Sequence, residues 1–416
     1  MTRIILILLI SISMLIGCQA NDTNNQAFPS SNSSTQETEI SQSPRSTLAP
    51  TPFPNPDLTV CASGCDFTLI QDAIEAERTV EGTVIGVIEP VQTEAGILVS
   101  KNVIIQGKGA QKTIVQAHLN PGEGTQRVFE VPLDVTVTIR GMTVQHGNPS
   151  TSPLTGGGIL NYGTLTLEDM IIRENFGSAG GGLYSEGTLT LLNSTVSENG
   201  SVGGGDAYLE CATGGGLKVL SGTTTLINST VSNNHAKSKG GGIHVACHGK
   251  LIMQNSTISS NFATESGGGI YLNGSGDFTS CTISNNSASN VGGLALNGRD
   301  DIKDYGQLRL FNTIISDNIA RLGDYGISDC HLEGYAEILA SGYTWIADGN
   351  CEPVFSGNPM LGPLVDNGGS TLTHRLLPGS PAIDAIPSES CVVDTDQRGE
   401  PRLTPCDIGA YEVQKP

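Results

Sequence analysis

Positive charge, aromatic side chains and tryptophan are scarce in this sequence. Its 416 residues include 21 Lys and Arg against 41 Asp and Glu, which gives a formal net charge of −20, and aromatics make up 5% with a single Trp. Because binding to nucleic acid needs clustered Lys and Arg, the excess of acid argues against a nucleic-acid partner. A negative surface of this kind favours solubility at an exposed location.

Zinc-type spacings are also missing. The chain has ten Cys but no Cys-x-x-Cys pair, and its seven His form no cluster of metal-binding spacing. The cysteines are therefore expected to form disulfides rather than to bind metal.

Long apolar runs are absent except near the N-terminus. Arg3 precedes the apolar stretch Ile4–Ile16, which is too short to span a bilayer comfortably and is typical of a signal peptide. The ending Leu15-Ile16-Gly17-Cys18 resembles the lipobox of bacterial lipoproteins. That resemblance implies that residues 1–17 are removed and that acylated Cys18 anchors the chain to a membrane. An ordinary signal peptide with a chance Cys is the alternative.

The next segment has little to bury. Residues 18–56 are rich in Ser, Thr, Asn, Gln and Pro and show no apolar periodicity. They predict a disordered tether that holds a folded region away from a membrane. Cysteines downstream of an export signal lie in a compartment that permits disulfides.

Glycine, by contrast, is abundant, and it repeats. A Gly-Gly-Gly-apolar signature recurs at steps of 24, 34, 26 and 27 residues, with a worn sixth copy. A period in this range indicates a solenoid, in which each repeat buries its apolar face only against its neighbours. The copies are Gly156–Ile159, Gly180–Leu183, Gly214–Leu217, Gly240–Ile243, Gly267–Ile270 and Gly292–Leu294.

One repeat predicts three short strands. Leu183 to Ser185, Leu189 to Leu191 and Ser194 to Val196 each alternate as a strand does, with turns between them. Stacked coils then form an all-β, single-stranded parallel β-helix of about ten coils, right-handed by the crossover rule. We place it at residues 57–352, with a short capping helix near residues 68–76 and an irregular cap at 353–416. The spacing of Thr68 and Gln71 predicts a capping box at the start of that helix. A β-propeller needs longer repeats, and leucine-rich repeats lack the glycine triplets.

Equivalent positions should form columns along the solenoid. Leu183, Leu217 and Ile243 fall in one inward column and Val196 and its equivalents in another, while Cys281 takes an inward position that other coils give to Ser. Asn residues at two turns should stack, since Asn tolerates left-handed backbone and its amides can bond to one another. The longer of these two columns is Asn175, Asn199, Asn234, Asn261, Asn286 and Asn318.

The remaining cysteines suggest pairs. Three of these pairs are close in sequence and lie near the ends of the folded region, and Cys211 and Cys247 flank neighbouring repeats, so they are placed to bridge adjacent coils. Cys281 is left over as a buried free thiol. The three close pairs are Cys61–Cys65, Cys330–Cys351 and Cys391–Cys406.

The C-terminal region carries the most specific resemblance to a known family. Its phrases are Leu376-Leu-Pro-Gly-Ser-Pro-Ala-Ile-Asp384, Thr395-Asp-Gln-Arg-Gly399 and Cys406-Asp-Ile-Gly-Ala-Tyr-Glu412. With the Asn-Ser-Thr coils, they resemble the choice-of-anchor Q family of bacterial surface proteins over residues 58–413. The resemblance implies a pectin-lyase-like β-helix at the cell surface or outer membrane, and it implies no established reaction. The repeats resemble those of polymorphic outer-membrane proteins more weakly.

One outward column suggests a binding surface. Tyr184, Lys218, His244 and Tyr271 should lie on successive coils about 5 Å apart, where aromatic rings can stack on sugars and Lys can meet acidic groups. The column holds no carboxylate pair of the kind that glycoside hydrolysis uses. We therefore expect a structural or adhesive surface lipoprotein that binds glycans or other surface polymers. A polysaccharide lyase or glycoside hydrolase on the same scaffold, and a solvated face without a ligand, are the alternatives.

No catalytic residue, cofactor or metal ligand is assigned. Asp394 and Asp396 are spaced like the start of a calcium loop, but Arg398 replaces an expected acid and Pro405 stands where a bidentate Glu belongs. Calcium at this place is left open as the weaker alternative. The chain is expected to be a monomer whose partners are a membrane at Cys18 and a glycan or polymer.

Overall fold

Short parallel strands stack rung upon rung into a right-handed β-helix, so the predicted fold class is confirmed. The structure is a computed structural model that describes residues 53–151, 153–202, 213–298, 306–322 and 329–415. Cys18, Cys211 and the side chain of Cys247 lie outside the described part, so the lipid anchor and the Cys211–Cys247 disulfide stay predictions. Within that part, no helix is long and apolar enough to cross a membrane.

The described strands form four ladders along the solenoid. Ladder A follows the glycine triplets and consists of β4 (Ile97–Leu98), β7 (Phe129–Val131), β10 (Ile159–Asn161), β14 (Leu183–Ser185), the first parts of β18 (Leu217–Ile227) and β21 (Ile243–Gln254), β24 (Ile270–Leu272), β28 (Leu294–Gly298) and β32 (Cys330–Gly334). Ladder B consists of β1 (Leu58–Val60), β2 (Val84–Val87), β5 (Ile104–Gln106), β8 (Thr136–Arg140), β11 (Thr164–Glu168), β15 (Thr188–Leu192), the later parts of β18 and β21, β25 (Ser275–Thr279), β29 (Gln307–Phe311) and β33 (Glu337–Gly342).

The other two ladders complete the coil. Ladder C has ten strands, in agreement with the predicted coil number: β3 (Val91–Thr93), β6 (Ile114–Gln116), β9 (Thr143–Gln145), β12 (Ile171–Arg173), β16 (Thr195–Ser197), β19 (Thr230–Ser232), β22 (Thr257–Ser259), β26 (Thr282–Ser284), β30 (Ile314–Ser316) and β34 (Trp345–Ile346). Ladder D adds a fourth, two-residue strand to most repeats: β13 (Phe176–Gly177), β17 (Gly200–Ser201), β20 (His235–Ala236), β23 (Phe262–Ala263), β27 (Ser287–Ala288) and β31 (Ile319–Ala320).

The interior is aliphatic, as predicted. Leu183, Leu217 and Ile243 are paired in register and are at most 1% exposed. Burying each such side chain stabilises the fold by roughly 1.5–3 kcal/mol. Cys281 is a fully buried free thiol, and burial raises its pKa to about 12.

The glycine triplets fit two geometric demands. Gly180 has φ +58°, a left-handed conformation that strains other residues. Gly181 lies so close to the next coil that a Cβ would come within 2.3 Å of the carbonyl oxygen of Gly200. The triplet therefore combines a sharp turn with close packing of backbone on backbone.

The predicted Asn column is a continuous amide ladder. Each Nδ2 donates to the Oδ1 of the next coil at 2.9–3.0 Å, from Asn175 through Asn318. Asp329 accepts the last of these bonds, from Asn318 at 2.9 Å. A carboxylate suits this place because Asn318 needs an acceptor for its Nδ2. Another Asn here would bring an N–H group of its own, for which the ladder has no further Asn as acceptor.

A short helix covers the first coil, but its predicted Thr68–Gln71 capping box is wrong. The helix α1 spans Ile70–Glu75, and its own Ile70 and Ile74 are buried in the core of the β-helix. Its first two backbone N–H groups donate to the carboxylate of Glu94, at 2.7 and 2.8 Å. A residue distant in sequence has taken the capping role that local spacing gave to Thr68.

Just before the first strand, Phe53 and Pro54 of the expected tether contact the solenoid. The Phe53 ring lies under the guanidinium of Arg140 at 4.6 Å and beside Gly141. The carbonyl oxygen of Pro54 accepts a hydrogen bond from Gln106 at 2.7 Å. The chain therefore reaches β1 along the flank of the β-helix.

The structure contains three of the predicted disulfides, Cys61–Cys65, Cys330–Cys351 and Cys391–Cys406. The last coil ends in a turn that carries Cys351, whose disulfide joins it to β32, and Trp345 stacks on Phe355 with ring centroids 5.4 Å apart.

The segment that follows, residues 358–415, lies along ladder C, and we call it the side strap. It contains the antiparallel pair β35 (Leu361–Val365) and β36 (Thr373–Leu376) and a 3₁₀ turn at Ser388–Ser390. Gln397 holds it to the coils, accepting from Thr257 at 2.6 Å and donating to Thr230 at 2.9 Å. Inside the strap, buried Arg402 pairs with buried Glu412 at 3.2 Å. The strap thus covers the flank of several coils.

Candidate functional site

The four residues of the predicted binding strip form one column along the solenoid, but they are buried. Tyr184, Lys218, His244 and Tyr271 pair in register along ladder A, and their exposed fractions are 8%, 0%, 1% and 3%. The prediction of an open surface formed by these four residues is therefore wrong. Turns that precede the glycine triplets fold against the column: Thr213 hydrogen-bonds His244, and the ammonium group of Lys239 lies 4.9 Å from the centre of the Tyr271 ring.

Burial fixes the chemistry of the strip. Burial and the charges of Lys218 and Lys239 hold the pKa of His244 well below its usual value, so its ring is neutral. Burial raises the pKa of Tyr271, whose ring meets His244 edge-on at 5.2 Å between centroids. These groups act as a packed polar seam that supports the wall of the coil.

The same column opens at its C-terminal end. Tyr271 pairs with Ala295, and Ala295 pairs with His331, so a methyl group stands between two rings on alternate coils. Val291 packs on Tyr271 and Ala295 and covers this position, and a cleft of about 390 Å³, which we call the ladder A cleft, lies beside it. Its lining is Lys239, Glu265, Ser266, Tyr271, Asn290, Val291, His331 and Glu333.

The cleft is built from two kinds of element. Tyr271, His331 and Glu333 belong to strands of ladder A. Lys239, Ser266 and Val291 each directly precede a glycine pair or triplet, so they come from the turns that face the column. Rigid strands and tight glycine turns thus position both walls.

The polar groups of the cleft carry both signs of charge. Glu333 accepts a hydrogen bond from Asn297 at 2.9 Å, and it is exposed. Glu265 is also exposed. Lys239 is half-buried and lies in one of the turns that precede the glycine triplets. The cleft therefore offers a cationic donor, carboxylate acceptors and the half-buried imidazole ring of His331 together, a combination that suits a polyhydroxylated ligand.

Sequence reasoning missed His331 and Glu333. Their coil follows an interruption of the repeat, so the glycine signature that located the other columns does not mark it. The sequence also shows no partner for His374, which in the structure is buried and bonds to Ser259 at 2.9 Å and to the carbonyl oxygen of Gly362 at 2.7 Å. His374 is part of the docking of the side strap.

The possible calcium loop is occupied by internal bonds. Oδ2 of Asp396 accepts hydrogen bonds from the Arg398 guanidinium at 2.7 and 2.8 Å and from the backbone N–H of Glu412 at 3.0 Å. Its Oδ1 accepts from the backbone N–H groups of Arg398 and Glu400, at 2.9 and 3.1 Å. Among the residues that the structure describes, no group of three His, Cys, Asp or Glu is placed to hold a metal ion.

An aromatic stack lies on ladder D. The rings of His235 and Phe262 are 5.0 Å apart and 3° from parallel, and the guanidinium of Arg321 lies 4.6 Å from the Phe262 ring centre. Since both faces of Phe262 are covered, this stack joins coils to one another rather than offering a face to a ligand.

Comparison with known proteins adds similarities of fold. The chain matches no protein-family model and no curated protein. Among solved structures it is similar to a pectin methylesterase from Aspergillus niger, with 13% identity, 74% of this chain and 91% of the other covered, and a TM-score of 0.36. It is similar to the A-module of the mannuronan C-5 epimerase AlgE6 from Azotobacter vinelandii, with 15% identity, 69% and 86% covered, and a TM-score of 0.37.

A carrot pectin methylesterase is similar at 11% identity, with 70% of this chain and 84% of the other covered and a TM-score of 0.32. Identities and scores this low support no argument about activity. By its own ladders, the chain is a right-handed parallel β-helix.

Proposed function

We propose that this protein is an exported glycan-binding β-helix and that the ladder A cleft is its binding site. The observation that carries the proposal is the juxtaposition of His331 with Lys239, Glu265 and Glu333 around one opening. Sugars are bound by apolar ring surface together with a few converging polar groups, which is the composition of this cleft. The covered strip upstream supplies a rigid base.

A glycan array tests the proposal. The mature full-length chain is expected to retain a restricted set of glycans, and His331→Ala is expected to weaken that binding about tenfold or more, equivalent to about 1.4 kcal/mol. His118→Ala, on a distant coil, is the matched control and should bind as the parent does. Absence of any glycan ligand, or equal binding by the His331 and His118 variants, would contradict the proposal.

The alternative function is a carbohydrate-active enzyme, and one observation favours it. Two carboxylates, Glu265 and Glu333, line the same cleft, and paired carboxylates are the usual machinery of glycoside hydrolysis. A reducing-end release assay on each retained glycan separates the two functions. Product release that is lost in Glu265→Gln and Glu333→Gln would replace binding by hydrolysis or lyase chemistry.

We also propose that the protein is held at the bacterial cell surface by lipid at Cys18 and belongs to the choice-of-anchor Q family. The lipobox-like ending of the signal segment, the low positive charge and the three disulfides support an exported location. Metabolic labelling with a palmitate analogue tests the anchor, and Cys18→Ser should abolish the label and release the protein into the medium.

A further inference from the structure

We propose that part of the outward face of ladder B is an ice-binding surface, whose ligand is the ordered water of an ice crystal. Two rows of threonine cover this part on four successive coils, and we call it the threonine face. It lies on a different ladder from the ladder A cleft, so the proposal does not depend on glycan binding. Its members are Thr136, Thr138, Thr164, Thr166, Thr188, Thr190, Thr223 and Thr225.

Strand register sets these threonines in a regular array. Thr136 pairs with Thr164 and Thr164 with Thr188, which forms the first row. The second row runs in the same way from Thr138 to Thr225. The two members on each coil are two residues apart on one strand, so they share its outward side, and the residue between them is buried. All eight threonines are exposed or half-buried.

Each threonine presents a hydroxyl and a methyl group on a stiff support. Branching at Cβ restricts the χ1 rotation of the side chain, and the ladder holds the backbone. Among the described residues, none of the eight hydroxyl groups bonds to another protein group. Each hydroxyl therefore has its one donor and its acceptor positions to offer to water.

The spacing of the coils agrees with that of ice. Neighbouring rungs are about 4.8 Å apart. Hydrogen-bonded water oxygens are about 2.75 Å apart, so tetrahedral bonding places two neighbours of one water about 4.5 Å from each other. The difference of about 0.3 Å accumulates to about 1 Å over the three steps from Thr136 to Thr223. Waters held by the hydroxyl groups therefore fit a growing ice lattice along the solenoid axis.

Lack of charge favours ice as the ligand. The chain has a net charge of −20, yet none of the eight positions carries a charge or an aromatic ring. A charged polymer would meet no opposite charge on these side chains, and sugars are bound largely through aromatic surface. Ice is uncharged and offers a periodic array of donors and acceptors, so it matches both the neutrality and the repeat of the face.

The fold itself does not require threonine at these positions. The same two rows continue on the next three coils with other side chains, among which Lys250 pairs with Asp277 at 2.6 Å. The rows also persist although the first-row threonines are separated by 28, 24 and 35 residues. Threonine on four coils of unequal length therefore points to the surface and not to the scaffold. The side chains that follow are Lys250, Ile252, Ser275, Asp277, Gln307 and Arg309.

Ice growth is the direct test. The full-length mature chain is expected to produce thermal hysteresis, which is a gap between the melting and the freezing temperature of a seed crystal, and to inhibit ice recrystallisation. A chain that does neither would overturn the proposal. Binding to crystalline cellulose or chitin that Thr188→Tyr abolishes, without any effect of the parent chain on ice, would assign the face to a solid polysaccharide instead.

Two variants and a matched control test the face. Thr188→Tyr and Thr166→Tyr each place a ring within the array and should weaken ice binding at least about tenfold, because the ring holds the neighbouring threonines away from the lattice. Gln307→Tyr makes a similar enlargement in the first row, three coils beyond Thr223, and should leave thermal hysteresis unchanged.

Far-ultraviolet circular dichroism shows whether the variants fold. If either threonine variant folds and keeps the thermal hysteresis of the parent, the ice-binding surface lies elsewhere and the proposal is wrong. Glycan binding by the ladder A cleft should be the same in Thr188→Tyr as in the parent, so failure of one proposal is distinguishable from failure of the other.

Discussion

The amide ladder should be among the most sensitive structural elements of the solenoid, and Asn234 at its centre tests this. The Asn234 Oδ1 accepts from the backbone N–H and the Nδ2 of Asn199, both at 3.0 Å. Its Nδ2 donates to Val196, Ser232 and Asn261 at 2.9–3.0 Å. The residue is 1% exposed, so water does not replace these partners.

The magnitude follows from counting what Asn234→Ala leaves behind. The backbone N–H of Asn199 loses its acceptor and stays buried, which costs about 2 kcal/mol, and the lost donor bonds contribute about 1 kcal/mol more. The Nδ2 of Asn199 keeps two other acceptors, and the Oδ1 of Asn261 keeps the backbone N–H of Asn234, so neither is orphaned. We expect a loss of about 3 kcal/mol in the free energy of unfolding.

Urea unfolding of the full-length chain, followed by far-ultraviolet circular dichroism, measures this loss provided that the m-value is unchanged. Asn120→Ala, an exposed amide on a loop, is the control and should change stability by less than about 0.5 kcal/mol. Asn234→Asp keeps the acceptor for Asn199 but turns a carboxylate oxygen toward other oxygens, so it should be worse than Ala at neutral pH and recover in acid. A loss below about 1 kcal/mol for Asn234→Ala would refute the view that the ladder joins the coils.

Three further predictions concern other buried groups. Burial raises the pKa of Asp329 from 3.8 to about 6. Its protonation therefore stabilises the fold fully below about pH 4, and this contribution is lost as pH rises through 6. Asp329→Asn should flatten the pH dependence of the free energy of urea unfolding over that window by up to about 3 kcal/mol, and an unchanged slope would contradict this. Cys281, with its pKa raised to about 12 and no exposure, should resist iodoacetamide in the native protein and react after unfolding; a labelled Cys281 peptide under native conditions would be the contrary result. Gln397→Ala should make the side strap sensitive to limited proteolysis while the circular dichroism of the coils stays the same. Gln414→Ala, at an exposed site near the C-terminus, is the control and should not make the strap sensitive. Equal cleavage of the two variants would show that Gln397 does not hold the strap.

The coil architecture was predictable because each coil repeats the same local demands. Gly180, Leu183 and Asn199 recur at equivalent places, and a position that must be left-handed, apolar or amide-bearing in one coil must be so in the next. The inward columns, the Asn ladder and the buried thiol of Cys281 follow from that periodicity alone. Helix capping did not, since Glu94 reaches α1 from another coil and no local spacing signals it.

The candidate site was only half predictable. Register placed Tyr271 correctly on the outward face, but facing outward from a strand does not mean facing water. Whether the turn before a glycine triplet folds over the column depends on its length and on groups such as Lys239, which tertiary packing decides. His331 joined the site through a coil whose spacing differs from the others, so periodicity could not locate it.

The packing of Phe53 against Arg140 and Gly141 has a mechanical consequence. Tension transmitted through the chain from its N-terminal side first loads this aromatic contact and the bond between Pro54 and Gln106. The pull is therefore delivered first to β5 and β8, the third and fourth strands of ladder B, before it reaches β1. Until these contacts break, the first strand is spared a load that would peel it from β2 one hydrogen bond at a time.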